Sequence, residues 1–244
     1  MRHRRIPRYT FLLFLFLGVI SIKAQQYEIS QVDTLEYKII KAFNNTLNQQ
    51  IKLYNGVSYE GYSGRLLGNA YLNDTLVFVT GNVTYDGIGF RNVPLMYDLV
   101  KDKVITQLYD GYSKLGLINE KVSNFTLCGK NFINVHNRLA DYSKFGFFEL
   151  SYKGGLEVLV KRIKIAKQVI SSSMVKTEFQ LKTEYFILKD SILYKVNNEA
   201  AIFKPLKSDK VSIKKYLKDN GLKFRKEPIK TLVSIATFYD QLGK

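Results

Sequence analysis

The chain has 244 residues, with 37 Lys and Arg against 21 Asp and Glu, so it is long enough to bury a sizeable core and carries a formal net charge of +16. Its single cysteine excludes an internal disulfide, and its two histidines exclude a His-rich metal site. The fold must therefore rest on packing, and 17 Tyr and 16 Phe without any Trp point to strands around an aromatic core.

Arg2, Arg4, Arg5 and Arg8 precede an apolar run from Phe11 to Ile20, and Ala24 closes the segment. This three-part pattern predicts a secretory signal peptide over residues 1–24. Its apolar run is shorter than the roughly 20 residues that cross a bilayer, so a retained anchor is the alternative. The remaining 220 residues, 25–244, read as one mainly-β domain, with no transmembrane segment after cleavage. The expected location is outside the cytoplasm: periplasm, outer-membrane periphery or extracellular.

Leu35, Ile39, Ile40, Phe43, Leu47 and Ile51 recur at helical spacing and predict a helix over Thr34–Lys52. Leu66–Leu72 is a short strand at best. From Val77 the period changes to two: Val79, Val83 and Tyr85 share a face, and Asp86-Gly87 supplies a two-residue hairpin turn. The return strand runs from Ile88 to Leu99, and its apolar face keeps phase only if one residue bulges near Asn92-Val93-Pro94. Lys101-Asp102 reverses the chain into a third strand ending at Tyr109. Two further Tyr-Asx-Gly triplets, at Tyr54-Asn55-Gly56 and Tyr109-Asp110-Gly111, read as the same hairpin chemistry.

Leu117–Leu127 and Asn131–Val135 are the next expected strands, with a loop at Asp141–Gly146. A second meander follows: Phe147–Tyr152, a Lys153-Gly154-Gly155 turn, the long run Leu156–Ile170, then Phe179–Ile187, a Lys189-Asp190 turn and Ile192–Val196. The period then returns to helical over about residues 208–242. Ser208 is the expected N-cap of a first helix that ends at Gly221, and Pro228 opens a second with Ile229, Leu232, Val233, Ala236 and Tyr239 on one stripe. The predicted class is α+β, mainly β: an antiparallel twisted sheet or partly closed barrel of roughly eight to eleven strands with two C-terminal helices.

Removing residues 1–24 leaves 32 basic and 21 acidic side chains, a net +11. Residues 25–160 hold 13 of each sign, whereas residues 161–230 hold 18 basic and 7 acidic. The basic third includes Arg162, Lys164 and Lys167 on the long strand. Around the helical pair it includes Lys214, Lys215, Lys218, Lys223, Arg225 and Lys226, the candidate site for an anionic partner. Such a partner is an envelope surface: lipid head groups, an acidic glycan or an acidic protein. A lysine-rich face also serves solubility and blunts sheet edges. Lysine predominates over arginine and no nucleic-acid motif occurs, which disfavours DNA or RNA.

Chemistry is harder to place. Cys128 and His136 suggest a nucleophile and base, but Leu127-Cys128-Gly129 closes a strand, where cysteine acts as a small apolar side chain. No nucleophile elbow, phosphate loop or dinucleotide fingerprint occurs, so no cofactor is expected. Asp86, Asp98, Asp110, Glu149 and Glu157 lie near predicted strand ends, so a carboxylate-dependent glycan hydrolase stays open as an alternative. A curved sheet under helices also suits a carrier of lipid or another apolar ligand. Binding or scaffolding in the cell envelope is the leading expectation.

The motifs Leu53-Tyr54-Asn55-Gly56, Gly81-Asn82-Val83-Thr84-Tyr85-Asp86-Gly87, Asn92-Val93-Pro94-Leu95-Met96-Tyr97-Asp98 and Leu222-Lys223-Phe224-Arg225-Lys226 mark a stretch from Leu53 to Leu242, most of residues 25–244. In these the chain resembles an uncharacterised family of exported, β-rich proteins of Gram-negative bacteria. The resemblance implies export and transfers no catalytic residue.

Overall fold

Asp86 and Gly87 both take positive φ, 52° and 76°, and the chain reverses there between β3 (Val79–Tyr85) and β4 (Ile88–Asp98). Left-handed residues at both central positions give the turn a twist that matches the strands it joins. The computed structural model describes residues 38–39, 51–136, 139, 146–171 and 174–243. The chain divides into two compact units, Met1–Ile51 and Lys52–Lys244. In the first, residues 38–39 and 51 are described and are helical, so most of the expected Thr34–Lys52 helix, like the whole of residues 1–24, lies outside the described residues.

The second unit is a mainly-β body with two C-terminal helices on one large, twisted, open sheet. Its other strands are β1 (Val57–Ser58), β2 (Leu66–Leu67), β5 (Lys103–Gln107), β6 (Lys114–Gly116), β7 (Val122–Leu127), β8 (Lys130–Asn134), β9 (Phe147–Lys153), β10 (Glu157–Ser171), β11 (Met174–Lys189) and β12 (Ile192–Val196). The order across the sheet is β1-β6-β5-β4-β3-β7-β8-β9-β10-β11-β12, and β2 pairs with β11 in parallel. Twelve strands exceed the expected eight to eleven because β1 and β2 are two-residue pairings. Three helices follow: α1 (Glu199–Ile202), α2 (Lys210–Asp219) and α3 (Pro228–Gln241). Among the described residues no helix is long and apolar enough to cross a membrane.

Among the described residues, the two largest of four apolar clusters do most of the packing. Under β3, β4, β7, β8 and β9, Phe125 stacks on Phe132 with centroids 4.6 Å apart. Tyr97 meets both rings edge-on at 5.2 and 5.3 Å, the arrangement that the ring quadrupoles favour. The other core lies where Leu156, Val158, Ile187 and Val196 of the sheet receive Ile202, Ile213, Leu217, Leu232, Ile235 and Tyr239 of the helices. Gly81 lets two strands approach closely: a Cβ there would meet the Thr126 carbonyl oxygen at 2.3 Å. Gly81→Ala is therefore expected to cost about 1–3 kcal/mol, because the β3–β7 pairing must give way. Gly89→Ala, which meets nothing within 4 Å, should stay within about 0.5 kcal/mol of the parent in urea melts.

The expected bulge is present at Asn92, with φ 55° and its N–H bonded to the Asn82 Oδ1, while Pro94 stays in register opposite Thr80. A left-handed Asn absorbs the extra residue without help from the proline. Other expectations are corrected locally. The triplet at Asn55-Gly56 makes no hairpin; Gly56 is needed because a Cβ would press on the Gly116 carbonyl at 2.6 Å. The expected strand Leu117–Leu127 is broken by a 3₁₀ turn at Asn119–Lys121, closed by the Lys121 N–H on the Ile118 carbonyl. Ser208 caps no helix: its hydroxyl donates to Asp209 at 2.6 Å inside a 3₁₀ turn, and α2 begins two residues later. On α3 the buried stripe is Thr231, Leu232, Ile235, Ala236 and Tyr239, with Ile229 and Val233 only half-buried.

Candidate functional site

Helix α2 owes its direction to two buried side chains, Ile213 and Leu217, which stand four residues apart and pack on the sheet and α3. The exposed lysines then run from the edge of this buried stripe round to the outer side of the helix. Lys210, Lys214 and Lys218 follow one another at the same four-residue spacing, Lys215 lies beside them, and all four are exposed. Val211, 83 % exposed, sits among these lysines. The helix ends in a Schellman motif: the Gly221 N–H reaches the Lys218 carbonyl at 3.2 Å and the Leu222 N–H reaches the Leu217 carbonyl at 2.9 Å, with Gly221 at φ 62°.

After this turn Phe224 is buried against Tyr185, edge-on at 5.7 Å, and anchors the connection to α3. Its neighbours Lys223, Arg225 and Lys226 are consequently exposed. Lys214, Lys215, Lys218, Lys223, Arg225 and Lys226 thus lie on one helix and the loop that leaves it. None of them forms an ion pair with a described residue; the Lys214 Nζ lies 5.7 Å from the Phe203 ring centroid. The nearby pair of Lys230 with Glu227, at 3.1 Å, leaves them untouched. Lys210 and Val211 were missed as members of this face. The four-residue spacing that links Lys210 to Lys214 is the signal that could have found the first.

The basic residues on the long strand behave differently. Lys164 is buried, and its ammonium donates to the Asn69 and Tyr71 carbonyls, both at 2.8 Å, and to Asp74 at 2.5 Å. Arg162 donates to Glu149 at 2.6 Å, and Lys130 reaches the other oxygen of Glu149 at 2.9 Å. The pair of cations holds that carboxyl below its ordinary range despite the burial that opposes ionisation. Of the strand cations named from sequence, Lys167 alone is exposed. The charge run therefore splits between internal ties and an outer face.

Among the described residues, the carboxylates named from sequence offer no free pair. Asp98, fully buried, accepts from Tyr59 at 2.7 Å, Tyr62 at 2.9 Å and the Val100 and Lys101 N–H groups at 2.8 and 3.0 Å. Burial raises both tyrosine hydroxyls well above their ordinary range, helped at Tyr59 by the Tyr71 hydroxyl and then Asp98, and at Tyr62 by the negative charge of Asp98. Asp110 caps its own turn through Tyr112 and Ser113, and Asp86 takes the left-handed turn position. Glu157 opens β10 opposite Leu188. Cys128 lies in the two-residue turn before β8, with φ 52°, and His136 lies past the other end of that strand. β8 alone puts about 13 Å between them, so they make no nucleophile and base. Among the described residues no group of three or more His, Cys, Asp or Glu converges as a metal site.

No family model, curated protein or solved structure matches this chain, so the resemblance to exported Gram-negative proteins rests on the quoted motifs alone.

Proposed function

We propose that this is an exported protein that works by binding, and that the outer face of α2 with the loop after it docks on an anionic surface of the cell envelope. One observation carries the reading: six cationic side chains share a helix and its exit loop, all exposed and none neutralised by a described carboxylate, whereas Lys161, Lys164 and Arg162 nearby are all paired. Unpaired charges on one face sum into a field that attracts anions, and Val211 adds an apolar contact at its centre. The role is binding or scaffolding in the periplasm, at the outer-membrane periphery or outside the cell. Asp86, Asp98, Asp110 and Glu149 serve local structure, which weighs against the hydrolase reading. The aromatic rings packed under the first meander weigh against a carrier of apolar ligands.

Co-sedimentation with phosphatidylglycerol vesicles tests the proposal. Each cation near such a surface contributes on the order of 1 kcal/mol. Changing Lys214, Lys215, Lys218 and Lys223 together to Glu is therefore expected to lower the partition coefficient by more than about 100-fold at low salt. The parent's binding should also fade once salt shortens the screening length to about 8 Å. Equal retention on neutral phosphatidylcholine vesicles, or binding indifferent to salt, would refute it.

A further inference from the structure

β10 and β11 pair residue for residue from Glu157 opposite Leu188 to Ser171 opposite Met174 without a register shift. On the other side of β10, β9 reaches only as far as Val160. The Lys164 N–H donates to the Leu99 carbonyl at 3.1 Å, so it points away from β11. Direction alternates along a strand, and Ala166, Gln168 and Ile170 must likewise turn their N–H and C=O groups outward. The other edge of the ribbon agrees: Thr177, directly opposite Gln168, donates outward to the Arg65 carbonyl at 2.9 Å. No described residue bonds to the outward main-chain groups of Ala166, Gln168 or Ile170. Their surroundings are open and partly apolar, with Ile165 41 %, Ile170 82 % and Val175 57 % exposed.

A row of alternating donors and acceptors at strand spacing is complementary to one kind of occupant, another extended strand. We propose that the occupant is a second copy of this chain, paired β10 to β10 in antiparallel fashion about a two-fold axis at Gln168. In that register Gln168 faces its own copy, Ala166 faces Ile170, Lys167 faces Val169 and Ile165 faces Ser171. The outward-turned residues then form hydrogen-bonded pairs, about six main-chain bonds at two per pair. The small Ala166 receives the large, exposed Ile170. Shifting the axis to Lys167 would set two lysines directly opposite and would call on the Lys164 N–H, which already serves Leu99. The contact is isologous, so this pairing closes at two copies. Both copies are basic, so pairing strengthens as salt screens their repulsion, the reverse of the salt dependence of docking on anionic vesicles.

Sedimentation equilibrium of the purified protein across a salt series, together with a cysteine pair, tests the inference. Opposed hydrogen-bonded residues have Cα atoms about 5.5 Å apart, within disulfide reach. In a Cys128→Ser background, Gln168→Cys is expected to cross-link two copies rapidly with an added oxidant, and Thr177→Cys on the opposite edge is not. Gln168→Pro removes an outward N–H without touching the β11 ladder, and should leave the circular dichroism unchanged while yielding a monomer. A parent that stays monomeric at every salt concentration, a dimer that survives Gln168→Pro, or equal cross-linking at Thr177→Cys overturns the proposal. Should Gln168→Pro fail to fold, the comparison of the two cysteine variants decides. None of these readouts involves vesicles, so the dimer and the docking face stand or fall separately.

Discussion

Asp98→Ala is expected to destabilise the protein by about 3–5 kcal/mol, because several buried donors, each costing about 1–3 kcal/mol when unpaired, lose their acceptor at once. The carboxylate is 0 % exposed and ties four donors, so its loss strands the Tyr59 and Tyr62 hydroxyls and two main-chain N–H groups. Asp98→Asn keeps the shape but brings an amide N–H₂ to face donors, and should cost about 1–3 kcal/mol, the desolvation penalty of the groups left unpaired. The damage should concentrate in the segment before β2. Tyr62 lies edge-on to Phe179 at 5.1 Å, and the Lys101 ammonium crosses that segment, donating to the Glu60 carbonyl at 2.7 Å. Arg65 follows directly, so trypsin should cut there faster in Asp98→Ala than in the parent. Urea midpoints measure the first effect and timed digestion the second. Equal stability of Asp98→Ala and the parent would show that the segment is held by other contacts.

The elements legible in the sequence are those whose cause is local. Asp86-Gly87 and Gly221 announce themselves because few residues tolerate positive φ, and both take it. The two meanders follow from a period of two and the C-terminal pair from a period near four, so the fold class was readable before any contact was known. What escaped depends on distant partners. β11 begins at Met174, five residues before its alternation becomes clear at Phe179, because β10 already offers a partner at every position. The break at Asn119–Lys121 is tied down from elsewhere: the Asn119 side chain donates to the Asp102 carbonyl, and Asn134 donates to the Asn119 carbonyl, both at 2.8 Å. Nothing in the local pattern predicts either bond.

The candidate site divides along the same line. Lys214, Lys215 and Lys218 were readable because helical spacing alone turns them out of the stripe that Ile213 and Leu217 define. Arg162 and Lys164 read as surface charge, since a strand's polar residues ordinarily face water. Their partners lie 13 and 90 residues away in sequence, at Glu149 and Asp74, and only the curled sheet brings them together. Lysine count was therefore a poor guide to surface charge in this chain, and the unpaired subset is the informative one.

A third internal pair, Lys161 with Asp102, gives an asymmetric expectation. Lys161 is almost fully buried; its ammonium donates to Asp102 at 2.7 Å and to the Phe147 carbonyl at 2.9 Å, and burial pulls its pKa below the ordinary lysine value against the pull of Asp102. Asp102 is more exposed, with 28 % of its side chain open, and also accepts from the Tyr97 hydroxyl. Lys161→Met leaves a carboxylate that water can reach, so it should cost little, within about 1 kcal/mol. Asp102→Ala leaves a buried ammonium without its counter-charge and an unpaired Tyr97 hydroxyl, and should cost about 3–5 kcal/mol. The sign of the pH dependence follows. With Asp102 gone the folded-state pKa of Lys161 falls further below its unfolded value, so the unfolded chain binds the extra proton between the two. The Asp102→Ala variant should therefore regain stability as pH rises from the lowered folded value towards about 10.4, the unfolded lysine value. Urea melts of both variants between neutral and alkaline pH measure this. A Lys161→Met variant as unstable as Asp102→Ala, or an Asp102→Ala deficit that does not shrink with rising pH relative to the parent, would show that the buried cation is not what the carboxylate offsets.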